Sequence, residues 1–103
     1  MGSLIRVSKK SKGAEKRLYK AVRLMLLYKY TAENQCWRKK TRARYQLAQY
    51  NMRRRVVQLA IKIAGNYNYW TCEPVGSHKV IDLVADRDLA FLINLSNYED
   101  MSC

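Results

Sequence analysis

A chain of 103 residues that is 49% hydrophobic and holds eleven aromatics has enough apolar material for one modest core, which excludes a disordered chain. Its net charge of +12 is unevenly spread: residues 1–64 carry eighteen Lys and Arg against Glu15 and Glu33, whereas residues 65–103 lean acidic at −4. Cys36, Cys72 and Cys103 are odd in number and far apart, which argues against a secreted disulfide scaffold, and the apolar runs are too short to span a bilayer, so cytoplasm or nucleus is the expected compartment.

Residues 1–12 are short, polar and basic without a sustained period, and read as a flexible basic arm. Gly2 follows Met1, but Arg6 stands where a lipidation signal wants Ser or Thr, so the stretch is taken as an ordinary start. From residue 13 the sequence reads as a single domain to residue 103. Ala14, Leu18, Ala21, Val22, Met25 and Tyr28 recur at steps of three and four, which predicts a first helix over about residues 13–30, with Ser11 as a candidate cap and Glu15 in the first turn.

Thr31, followed by Glu33, has the look of a second helix start. The apolar track Tyr45, Ala48, Met52, Val56, Leu59 and Ile63 carries that helix to Gly65, which can leave in the left-handed region. An unbroken helix over 13–64 is the rival, because no Pro or Gly interrupts the join. Beyond Gly65 the basic helical part gives way to an acidic-leaning part. NYNYWTCE and HKVIDLVA, separated by PVGS, predict a short β-hairpin, and Asp86 is placed to cap a terminal helix through RDLAFLINL, ending near Asn97. The expected class is α+β: two amphipathic helices, the second long and basic, then a hairpin and a C-terminal helix. The alternative is all-α, with residues 78–95 as one continuous helix.

The stretch from Arg38 to Arg55 holds eight basic residues and no acid. On a helix, Lys40, Arg44, Asn51, Arg55, Gln58 and Lys62 keep to one side of the apolar track, and Arg38, Arg42, Gln49 and Arg53 to the adjoining side. From Arg38 to Lys62 the rise is about 36 Å at ~1.5 Å per residue, close to one turn of duplex. Like charges at these spacings weaken an isolated helix, so neutralisation of phosphate is the physical gain that would keep them. The candidate phosphate contacts are Arg38, Lys39, Lys40, Arg42, Arg44, Arg53, Arg54, Arg55 and Lys62, with Gln49 as a neutral hydrogen-bonding group.

Tyr67, Tyr69, Trp70, Trp37 and Tyr45 could stack bases, although packing against the helices is the commoner use of such residues. Asp82, Asp86 and Asp88, near His78 and Glu73, have no familiar metal spacing, and Cys36, Cys72 and His78 lack a fourth ligand. No cofactor, metal or enzymatic activity is therefore expected. The composition points to a small nucleic-acid-binding protein that reads backbone and shape, with RNA, including duplex RNA, slightly favoured over DNA because duplex RNA is recognised mostly that way. The alternative is an interaction adaptor whose basic helix docks on an acidic partner, and a homodimer would cover the apolar helix faces equally well.

Overall fold

A computed structural model describes residues 2–34, 37–65, 69–75 and 90–96. In chain order these form β1 (Gly2–Val7), α1 (Ala14–Asn34), α2 (Lys39–Ala64), β2 (Tyr69–Pro74) and β3 (Phe91–Ser96). The class is α+β: a three-stranded antiparallel sheet in the order β1-β3-β2, with the two helices packed on one face.

The first residues correct the expectation of a flexible arm, since 2–7 form an edge strand whose Ile5 pairs with Ile93 and Val7 with Phe91. SLIRV alternates: Ile5 and Val7 are buried, while Leu4 and Arg6 face solvent. Burying two such side chains contributes roughly 1.5–3 kcal/mol each, which favours an ordered strand in spite of the lysines that follow it. Those lysines lie in a turn in which the Ser8 N–H donates to Ser11 Oγ at 2.9 Å and the Ser11 N–H donates to the Ser8 carbonyl at 3.0 Å. Ser11 thus ties the turn rather than capping α1, which begins after Gly13, a residue at φ +65°.

α1 buries Leu18, Tyr19, Ala21, Val22, Met25 and Ala32: Leu18, Ala21, Val22 and Met25 were expected from the spacing, whereas Ala14 is exposed, Tyr28 is half-buried, and Tyr19 and Ala32 are added. Thr31 does not start a new helix. Its hydroxyl donates to the Leu27 carbonyl at 2.8 Å, and the Asn34 amide donates to the Tyr30 carbonyl at 3.1 Å, so side chains stabilise the last turn of α1 instead. The chain then folds back, which removes the single long helix as an alternative. α2 ends where expected: Gly65, at φ 110°, donates its N–H to the Ile61 carbonyl at 2.7 Å.

The C-terminal third departs furthest from expectation. Residues 91–96, predicted as helix, are the central strand, paired on one side with β1 and on the other with β2. Phe91, Ile93 and Leu95 are all at or below 1% exposure, whereas Asn94 between them is exposed. That alternation, with hydrogen-bonding partners on both sides, overrides a local pattern that also suited a helix. Among the described residues the partner of β2 is β3; residues 78–85, the expected second strand of the hairpin, lie outside the described ones, as do Asp86 and Asn97. A sheet also removes the all-α alternative.

One core joins the two layers. Ile5 and Val7 from β1, Phe91, Ile93 and Leu95 from β3, the buried face of α1, and Val56 and Ala60 of α2 form a continuous cluster. Tyr19 anchors α1 to the sheet through its ring, 5.7 Å from that of Phe91. Trp70 and Cys72 of β2 pack at its margin, and the half-buried Tyr28 and Tyr45 join the helices with ring centroids 6.1 Å apart.

Candidate nucleic-acid interface

α2 contributes eight Lys and Arg and no acid, and Lys39, Lys40, Arg42, Arg44, Arg53, Arg54, Arg55 and Lys62 are all exposed. Arg38, just before it, is exposed as well, whereas Gln49 is half-buried and reaches solvent less freely than expected. Only Glu15, Glu33 and Glu73 are acidic among the described residues, so the described surface around α2 is strongly positive.

The first turn of α2 is built against its own stability. It has no acidic residue, and Arg38 occupies the cap position with no side-chain hydrogen bond to the free N–H groups. A missing cap forgoes about 1 kcal/mol, and cations at the positive end of a helix dipole cost roughly 0.3–1 kcal/mol each. Arg38, Lys39, Lys40 and Arg42 therefore concentrate charge where the backbone is already electropositive. Such a site attracts anions.

The remaining cations are divided by the packing. Core residues Val56 and Ala60 hold α2 against α1 and the sheet, and the 3.6-residue repeat distributes the polar positions around the other sides. Arg55, Gln58 and Lys62 line a groove of about 400 Å³ with Arg17 of α1, over a floor that includes Leu59 and Ile61. Nearer the start of α2, Arg44 borders a second depression with Tyr28, Thr41, Tyr45 and Ala48. Arg53 lies on the sheet side, its guanidinium 5.6 Å from the centroid of the Trp70 ring. Arg54 faces outward between these rows, near Leu47 and Tyr50, which are 60% and 55% exposed.

So the structure joins Arg55 and Lys62 to a shared groove, leaves Arg54 outside it, and gives Arg53 a packing role. Arg17 was absent from the sequence-based set. Its signal is its place beside Leu18 on the rim of the α1 core face, but its nearness to Arg55 depends on the antiparallel return of α2. Trp37, for which packing against the helices was the commoner expectation, is instead 91% exposed in the connection before α2.

The other candidates are structural or lie elsewhere. Cys72 is free and half-buried, and its thiol is pushed up to about 12 by burial and then by the charge of Glu73, so it is a poor nucleophile and ligand at neutral pH. Among the described residues no three His, Cys, Asp or Glu side chains converge to hold a metal, and Cys36, Tyr67, His78, Asp82, Asp86, Asp88 and Cys103 lie outside them. Nor, among the described residues, is any helix long and apolar enough to cross a membrane.

The model of the family described as "Domain of unknown function (DUF7175)" matches residues 1–100, and the chain belongs to that family. No curated protein and no solved structure matches it.

Proposed function

We propose that this member of the family is a small, non-enzymatic RNA-binding protein that holds the phosphate backbone with α2. The observation that carries this reading is the start of α2, where Arg38, Lys39, Lys40 and Arg42 surround an uncapped, acid-free helix end. Local stability is given up there for positive potential. Phosphates return that cost by releasing condensed counterions and by filling the free N–H positions.

Arg44 and Arg54 continue the contact along α2, and Arg55 and Lys62 extend it into the groove shared with Arg17. The helix is about 39 Å long at ~1.5 Å per residue, enough to touch phosphates across one duplex turn. Recognition of this kind reads charge and helical shape rather than base edges, which suits A-form RNA.

The test is a titration of the purified full-length chain with duplex RNA, single-stranded RNA, and the corresponding DNAs over a range of salt. The logarithm of the affinity should fall linearly with the logarithm of salt concentration, with a slope reporting several phosphate contacts, and duplex RNA should bind tightest. An affinity that does not respond to salt would overturn the reading.

One observation favours a second reading, in which α2 docks on an acidic protein. Leu47 and Tyr50 are exposed between basic positions, a pattern that would fit a partner helix with an apolar stripe and acidic flanks. Nuclease treatment separates the two readings: it should release nucleic acid that copurifies with the chain, and it should leave a protein complex intact.

A further inference from the structure

We infer that Trp37 is a stacking platform for an unpaired base at the end of an RNA duplex held along α2. This rests on the RNA-binding reading above and adds the kind of RNA end that the protein selects.

Trp37 is 91% exposed, and among the described residues the next most exposed large hydrophobic side chain, Leu4, is at 63%. Tryptophan carries the largest apolar surface of any residue and is buried for most of it in folded proteins, so a ring left in water has a cost that some ligand can relieve. The other tryptophan shows the contrast. Trp70 is half-buried against the core, and the guanidinium of Arg53 lies over its ring.

The surroundings of Trp37 specify the ligand. Arg38, Lys39 and Lys40 follow it directly and are all exposed, and the uncapped start of α2 lies two residues away. A π-face beside clustered cations is the combination that binds single-stranded nucleic acid, with the base stacked and its phosphates neutralised. Inside an intact duplex both faces of every base are covered by neighbours, so only a terminal or unpaired base can meet the ring. From Lys39 to Lys62 the cations of α2 run for about 35 Å at ~1.5 Å per residue, roughly one duplex turn. A duplex aligned on that row would end at the connection that carries Trp37.

Insertion into a membrane fits less well. Residues 38–42 after Trp37 are all basic or hydroxylated, and Tyr45 and Ala48 on the next turns are half-buried against α1. A single ring with no apolar face beside it offers little area for insertion.

The experiment compares the full-length chain with Trp37→Ala and Trp37→Phe on three RNAs: a blunt duplex, the same duplex with a short single-stranded overhang, and the overhang strand alone. The overhang duplex should bind about tenfold more tightly than the blunt one, a stacking effect of ordinary size. Trp37→Ala should lose that preference with its salt slope unchanged, and Trp37→Phe should keep part of it. The emission of Trp37, read as the difference between the native chain and Trp37→Phe, should be quenched by the overhang duplex.

Salt-dependent binding with an unmoved Trp37 emission, or an overhang preference that survives Trp37→Ala, would overturn this inference alone. A Trp37 that responds to anionic phosphatidylserine vesicles and not to RNA would overturn it in favour of a membrane surface. No binding to any of the three RNAs would overturn the RNA-binding reading together with it.

Discussion

The two helices are of similar length and oppositely built. α1 has Glu15 in its first turn, hydroxyl and amide hydrogen bonds to carbonyls in its last turns, and six buried residues. α2 is longer, starts without a cap or an acid, and fully buries only Val56 and Ala60. The first helix is stabilised by local signals and by packing together. The second depends on its neighbours for stability, and its surface is left for charge. A basic helix of this sort is held by the side that faces the core, not by its own propensity.

Four tests would break or sharpen that contrast. Leu18→Ala, in the buried face of α1, should destabilise the fold by about 2–5 kcal/mol, whereas Arg54→Ala on α2 should stay within about 0.5 kcal/mol. Chemical denaturation of both variants measures the difference, and equal losses would contradict the division of labour between the helices.

Next in size is a loss of binding without a loss of fold. Replacing Lys40, Arg44, Arg54 and Arg55 together by Ala should weaken duplex RNA binding on the order of 100-fold at low salt and lower the salt slope by about three to four. The same number of exposed cations removed from α1 and the preceding loop, Lys10, Lys12, Lys20 and Arg17, should cost less, and most of that loss should trace to Arg17 in the shared groove. Binding isotherms at several salt concentrations decide this.

A smaller effect should separate stability from binding at one residue. Arg38→Asp supplies a cap and a favourable dipole contact, so the melting temperature should rise by an amount equivalent to about 1 kcal/mol while RNA affinity falls. If both moved in the same direction, the start of α2 would not be a site where stability is exchanged for charge.

At neutral pH the smallest effect concerns Cys72. Its thiol is raised to about 12 in the fold from an ordinary 9.0, so the folded state holds the proton more tightly than the unfolded one. Its contribution is fully present below pH 9.0, and stability declines as pH rises from there towards about 12, where the folded thiol also ionises. Cys72→Ala should remove that part of the alkaline decline, and alkylation mapped by mass spectrometry at pH 8 should be slow at Cys72 until the chain is unfolded.

Both helices were legible because each repeats its apolar positions over about four to five turns, and Gly65 marked the end of α2 through a conformation that few other residues adopt. The strands were less so. FLINLS satisfies two periods at once: Phe91 and Leu95 suit a helical face, and Phe91, Ile93 and Leu95 suit a strand face. SLIRV is too short, and too close to the lysines, to stand out from a basic arm. What joins these segments is pairing between residues distant in the chain, Ile5 with Ile93 across nearly its whole length and Cys72 with Ile93 across a shorter gap, and no local pattern encodes such partners.

The candidate interface divides in the same way. Its members on α2 followed from composition and helical repeat, since charge and a 3.6-residue period are properties of consecutive residues. Their grouping did not. Arg17 reaches Arg55 because α2 returns antiparallel along α1, Arg53 is drawn to Trp70 because β2 lies on that side, and Trp37 is exposed because the chain turns there. By itself the sequence determined that this protein has a charged, amphipathic helix with one apolar side. Only the tertiary structure decided which cations share a groove and which aromatic ring stays in water, because those outcomes depend on packing between segments that the chain brings together from far apart.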